Sequence, residues 1–219
     1  MKVTAFIPIK LNNERTPGKN IRPFLDGTPV CHLIQKTLLQ VPEINEIIVY
    51  CSDERIQEYL LPGVHYMKRP ASLDTYHTPI ADVFGTFLKN HEADIYVMAH
   101  VTCPFIKPER FSESIRAVVN GGYDSAFSGK KITEFLWKEG EPLNFSRNQI
   151  PRTQDLPVIL AETTSFYVFT RDVYEKYNGR VGIKPFICEC SAIESIDIDW
   201  PEDFTIAEAV YNHILADRK

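Results

Sequence analysis

Nothing in this sequence is long and apolar enough to cross a bilayer: no hydrophobic run approaches the ~20 residues that a spanning helix needs. The opening Met1-Lys2-Val3-Thr4-Ala5 leads into an apolar stretch that Pro8 and Lys10 cut short, without a small-residue cleavage site. It therefore does not read as a signal peptide. A disulfide framework is missing as well. The five cysteines, Cys31, Cys51, Cys103, Cys188 and Cys190, are odd in number and scattered, as expected of reduced thiols in a cytosolic protein. Cys188 and Cys190 have no second Cys or His pair at zinc spacing, and are expected as two side chains on one face of a strand. No Ser-His-Asp or Cys-His arrangement is readable, and there is no internal repeat, low-complexity tract or linker. Positive charge is not in excess either. With 24 Lys and Arg against 29 Asp and Glu, the formal net charge is -5, which argues against nucleic acid as the main partner. What remains is a cytoplasmic chain of one domain, residues 1–219, in which 44% hydrophobic residues can bury a sizeable core.

What is present is an alternation of strands and helices. Val3–Ile9 and Glu46–Cys51 are near-continuous apolar runs, the pattern of strands covered on both faces. Further strands are expected at Val64–Met67, Asp94–Ala99, Asp124–Phe127, Thr163–Phe169 and, last, Ser195–Ile198. Helices are expected over Leu33–Leu39, from Asp53 through Leu60, over Ile80–Leu88 and from Pro108 onward. A final helix opens at Pro201, with Phe204, Ala207, Tyr211 and Ile214 on one face. This βαβα order implies an α/β domain with a Rossmann-like, mostly parallel sheet and helices on both faces. About residues 130–160 the pattern breaks: the segment is polar, carries Pro142, Pro151 and Pro157, and lacks helical periodicity. It reads as an inserted arm or hairpin packing on a partner subunit, or equally as a flexible loop. Its Phe135, Leu136, Trp137, Leu143 and Phe145 form the kind of apolar surface that marks an interface.

The chemistry concentrates after the first strand, where parallel sheets bind ligands. Lys10, Arg15 and Lys19 put three cations in one loop, with Arg22 just beyond, a suitable cradle for a triphosphate. The glycines of a Walker loop are absent. At the other end, Asp197-Ile198-Asp199 places two carboxylates two residues apart, which on a strand share a face. Beside a triphosphate, such a pair suits magnesium.

Here the segment Ile7-Pro8-Ile9-Lys10-Leu11-Asn12-Asn13-Glu14-Arg15-Thr16-Pro17-Gly18-Lys19-Asn20 resembles the opening signature I-P-A-R-x-G-S-K-G-x-P-G-K-N-I of the CMP-sugar synthetases. These comprise the acylneuraminate and 3-deoxy-octulosonate cytidylyltransferases. Lys19 and Asn20 fall on the family's G-K-N, and Lys10 on its arginine. Glu14 falls where the acylneuraminate enzymes carry a lysine, while Arg15 matches the arginine of the octulosonate form. Other segments agree in order. Cys51-Ser52-Asp53 resembles S-T-D, and Arg69-Pro70-Ala71 resembles the R-P-A whose arginine contacts CTP. His100-Val101-Thr102-Cys103-Pro104-Phe105 resembles Q-P-T-S-P-L. Arg152-Thr153-Gln154-Asp155-Leu156-Pro157 resembles R-x-Q-D-L-P, and Glu162-Thr163-Thr164-Ser165-Phe166-Tyr167 resembles E-N-G-A-I-Y. Asp197 to Asp203 resembles D-[IV]-D-x-P-E-D, with Trp200 where a capping residue is usual, which should weaken the last helix's cap.

The resemblance implies a nucleotide-diphospho-sugar transferase type of fold with a dimerisation arm. It implies an enzyme that joins CMP from CTP to the anomeric hydroxyl of an acidic, sialic-acid-like keto-sugar, releasing pyrophosphate with Mg2+. Lys19, Arg15 and Asp199 would be catalytic, and Asp197 with Asp199 would hold the metal. Lys10, Asn20, Arg69, His100, Arg152, Gln154 and Thr163 would bind substrates. His100, which ends a buried strand, is open to a second reading as a hydrogen-bonded structural histidine. Thr163 and Thr164 in place of the family's Asn and Gly imply a sugar other than the commonest sialic acid, such as a pseudaminic, legionaminic or octulosonic relative. Two alternatives stay open: a metal-dependent glycosyltransferase of related fold, and a nucleotide-sugar-binding protein without catalysis.

Overall fold

The computed structural model describes residues 1–13 and 15–216; Glu14, read above at the position of a family lysine, lies outside the described residues. In chain order the elements are β1 (Val3–Ile9), α1 (Val30–Leu38), β2 (Glu46–Cys51), β3 (Val64–Lys68), α2 (Ile80–Asn90), β4 (Ile95–Ala99), α3 (Pro108–Asn120) and β5 (Ser125–Ile132). The two-residue strands β6 (Trp137–Lys138) and β7 (Glu141–Pro142), then β8 (Ile159–Phe169), α4 (Arg171–Tyr177), β9 (Pro185–Glu189) and α5 (Pro201–Ala216) complete the chain. Where a helix was expected from Asp53, Glu54–Tyr59 forms a 3-10 helix capped by the Asp53 side chain.

Seven strands form one sheet in the order β3-β2-β1-β4-β8-β5-β9. All pairings are parallel except those of β8, which runs antiparallel to both β4 and β5. The alternation of side chains along the strands divides the core. Ala5, Ile7 and Ile9 of β1 join Val97 and Ala99 of β4 under α1, α3 and α5. Phe6, Tyr96 and Met98 point the other way, against Phe84, Phe87 and Leu88 of α2 and Val173 of α4. Phe6 stacks on Phe87 with ring centroids 4.2 Å apart; full burial of such a side chain stabilises by about 1.5–3 kcal/mol. In α5, Phe204, Ala207 and Tyr211 are buried as their spacing predicts.

One expected strand is absent. Ser195–Ile198 is not a strand: Ser195 N and Ile196 N donate back into the turn at Ser191 and Ile193, and Ile198 N makes a single bond to Thr102 O at 2.8 Å. The last strand is β9, which pairs with β5 and carries Cys188, with Cys190 just beyond it. At the start of α5 the Asp203 carboxylate accepts from the backbone N–H groups of Asp199 (2.9 Å) and Trp200 (2.7 Å), the half of a capping box that the third helical residue supplies, while the Trp200 indole has no acceptor to offer the first helical N–H groups. About residues 130–160 the chain leaves the sheet as the extended ends of β5 and β8, paired to Ile132 opposite Ile159, with β6 and β7 as a small hairpin at the tip. No described helix is long and apolar enough to cross a membrane.

Candidate active site

The parallel strands bring their carboxyl ends to one edge of the sheet, and the loops leaving β1, β3 and β4 line a cavity of about 230 Å³ there. Lys10 and Lys19 border it from the first loop, Arg69 from the end of β3, and His100 and Thr102 from the end of β4.

The first loop closes on the segment before α5. Gly18 at φ +69° lets the chain turn, and this directs Lys19 inward. The buried Lys19 Nζ donates to Ile198 O at 2.6 Å and to Asp199 Oδ1 at 2.8 Å. Arg15 Nη1 donates to Asp199 Oδ2 at 3.0 Å, and Thr16 Oγ1 to Asp199 O at 3.0 Å. The Arg15 guanidinium also stands 5.4 Å from the centre of the Trp200 ring. Arg22, the fourth cation of this stretch, turns away to lie 3.8 Å over Phe204. Asn20 donates to Lys10 O at 2.9 Å, bracing the loop, and its own Oδ1 is buried without a partner.

The two aspartates face opposite circumstances. Burial pushes the Asp199 carboxyl up, but Lys19 and then Arg15 outweigh it and hold it below the usual carboxylate range. Asp197 is held above that range, chiefly by burial and then by the charge of Asp199, against a hydrogen bond from Thr102. Its Oδ1 is buried and has no partner among the described residues. An orphaned carboxylate oxygen is costly, and a hard divalent cation is a suitable partner for it. Among the described residues, no group of three or more His, Cys, Asp or Glu could hold a metal. An ion here would therefore complete its shell from water and substrate oxygens, as magnesium commonly does.

Arg69 is buried, donates to Asp74 Oδ1 at 2.6 Å and lies 5.9 Å from the Tyr50 ring centre. Ser52 Oγ donates to the other Asp74 oxygen, and Arg69 Nε remains buried and unpartnered. His100 receives the backbone of β8, its N–H donating to Ser165 O at 3.0 Å. Burial, and next the charge of Arg180, hold its imidazole down to a pKa of about 4. Thr163 is buried within 3.3 Å of the Ser165 hydroxyl.

The structure thus gathers Lys10, Arg15, Lys19, Asn20, Asp197, Asp199, Arg69 and His100 at one edge of the sheet. Arg152 and Gln154 stand elsewhere. Both are exposed in the arm, and Arg152 makes a two-pronged contact with Asp155 at 2.7 and 3.1 Å. Sequence reasoning missed Thr16, Thr102, Asp74 and Asp203. Thr16, Thr102 and Asp203 sat inside quoted motifs, whereas Asp74 is found only through the partners it holds.

A family model described as cytidylyltransferase matches residues 4–217. The N-acylneuraminate cytidylyltransferase A of Danio rerio is 27% identical over 212 residues, covering 91% of this chain and 49% of that protein. The 3-deoxy-manno-octulosonate cytidylyltransferase of Geotalea daltonii is 26% identical over 171 residues, covering 71% of this chain and 65% of its own length. The chain therefore spans about half the length of the N-acylneuraminate relative. The solved structure of CMP:2-keto-3-deoxy-manno-octonic acid synthetase complexed with CTP superposes with a TM-score of 0.71 at 19% identity. It covers 97% of this chain and 99% of the other, and at that identity the likeness speaks for the fold alone. With one match running nearly end to end, and the motifs behind the CMP-sugar synthetase resemblance falling mostly on the loops that build the cavity, the chain belongs to the cytidylyltransferase family.

Proposed function

We propose that this chain transfers CMP from CTP to the anomeric hydroxyl of a sialic-acid-like keto-sugar acid and releases pyrophosphate. The observation that carries the reading is the cluster of Lys19 and Arg15 on Asp199, with the orphaned Asp197 oxygen alongside. Two cations at the end of the first strand can take up triphosphate oxygens and the charge that grows as pyrophosphate departs. Arg69, kept in place by Asp74, has a buried Nε–H free for the nucleotide. Lys10 and Asn20 brace the loop on which the phosphates would lie.

Asp197 and Asp199 fit magnesium, which when bound supplies charge neutralisation at the phosphate under attack. The residues of the chain otherwise act by position: they align the sugar hydroxyl with the phosphorus and exclude water. The arm, with Trp137, Leu143, Ile150 and Val158 exposed, is proposed to seat on a second copy of the chain, bringing Arg152 and Gln154 to the partner's site. Pyrophosphate release tests the reaction. CTP with a panel of nonulosonic and octulosonic acids should yield it, and UTP or ATP should not. Preference for UTP with a hexose phosphate would overturn the reading.

A further inference from the structure

A second charged corner lies behind His100, on the far side of the Tyr167 ring, apart from the Lys19–Arg15–Asp199 cluster. Arg180 lies in the loop between α4 and β9, its guanidinium carbon 3.5 Å over the Tyr167 ring and its Nη2 donating to the Tyr167 hydroxyl at 2.7 Å. The carboxylate paired with it, Glu162, is 3.7 Å away and accepts a short hydrogen bond from the Tyr167 hydroxyl. Only 17% of the Arg180 side chain is exposed. A charge so buried requires close partners, and those described for it are one hydroxyl and one carboxylate at 3.7 Å. Burial lowers the basicity of Arg180 below its ordinary value despite Glu162 and Tyr167.

Tyr167 connects this charge to the cavity. Its ring stands edge-on to His100, centroids 6.4 Å apart, and His100 lines the cavity. His100 Nε2 is buried and has no hydrogen-bond partner. An imidazole that stays neutral offers one nitrogen as donor and one as acceptor. An incompletely neutralised guanidinium is matched by a planar anion. A molecule that carries a carboxylate beside hydroxyl groups answers both demands at once.

We propose that Arg180 and His100 form the acceptor-recognition corner of this chain, Arg180 meeting the carboxylate of the sugar acid and His100 a neighbouring hydroxyl. This rests on the reading of the chain as a sugar-acid cytidylyltransferase. It assigns the carboxylate to a residue of the same chain.

The test uses the full chain, with N-acetylneuraminate and 3-deoxy-manno-octulosonate as probes, each as free acid and as methyl ester. Pyrophosphate release from CTP is measured for the wild type, Arg180→Leu and Arg180→Lys, and CTP binding by calorimetry serves as the check on folding and on the nucleotide site. Arg180→Leu should raise the KM for the accepted acid about tenfold or more, with a smaller effect on kcat. It should erase the preference for acid over ester, and leave CTP affinity unchanged. Arg180→Lys should recover part of the loss. Unchanged acceptor KM and unchanged preference for acid over ester in a CTP-binding Arg180→Leu protein would overturn the proposal. If the wild type turns over neither acid, saturation-transfer NMR of the same acids with the CTP-bound protein decides separately. Acid binding that Arg180→Leu abolishes supports the corner while the reaction fails, and no acid binding overturns both.

Discussion

At Thr164 a β-branched residue is held at φ +56°, a conformation that costs an L side chain roughly 1–2 kcal/mol. It occurs where β8 bulges: the ladder passes from Phe127 opposite Tyr167 to Gly129 opposite Glu162. The Ser128 hydroxyl accepts from Ser165 N and Phe166 N in place of backbone. The CMP-sugar synthetases resembled here carry glycine at this position, so the bulge explains that glycine and makes Thr164 a strained departure. Thr164→Gly should therefore stabilise the fold by about 1 kcal/mol, read as a higher urea midpoint. Asp199→Asn should lower turnover at least about a hundredfold at saturating magnesium and leave the circular dichroism spectrum unchanged; full activity would remove Asp199 from the chemistry. His100 supplies a test of a different kind. Its folded pKa of about 4 lies below the ordinary 6.5, so as pH falls below 6.5 the unfolded chain takes up a proton that the folded chain refuses. Stability should fall between pH 6.5 and about 4, and His100→Gln should flatten that part of the stability-against-pH curve.

Among the elements, those with a single dominant period were legible and those without one were not. β1 and β2 were readable to the residue because both faces are covered and nearly every position is apolar. β9 was hidden because Pro185 opens it and only one side of it is paired, the usual place for proline in a sheet. The segment before α5 misled in the opposite direction: Ile196, Asp197, Ile198 and Asp199 alternate like a strand but have no ladder. Their position is fixed by Ile198 N on Thr102 and by Glu194, fully buried, which accepts from Arg110 Nε at 2.9 Å and Ser191 N at 2.9 Å. The aspartates were singled out on a strand that the chain does not form. Glu194→Gln should loosen this anchor, cost about 2–3 kcal/mol and weaken Mn2+ binding in the presence of CTP. Calorimetry on the variant checks both effects, and wild-type values would show that Thr102 suffices.

For the molecule as a whole, the net charge of -5 would leave an anionic ligand dependent on the basic loop after β1, which was singled out from its cations together with the family signature. The arm was legible only as a break in pattern, since nothing in its composition tells where its tip lies. If it seats on a second copy, light scattering across a dilution series should show a dimer that Trp137→Ser with Leu143→Ser weakens; a monomer at every concentration would sink the shared site. A mixed dimer of Asp199→Asn and Arg152→Ala protomers should then regain part of the activity. The strand β8 gives this arrangement a mechanical side. Its 11 residues, about 35 Å of chain at ~3.3 Å each, run from Ile159 in the arm to Phe169 under α2, so arm and cavity share one beam. Along it lies the bulge at Thr163–Ser165, whose Ser165 carbonyl accepts from the His100 N–H. If the arm seats on a second copy, a load placed on it would be delivered along β8 to the strand beneath the cavity.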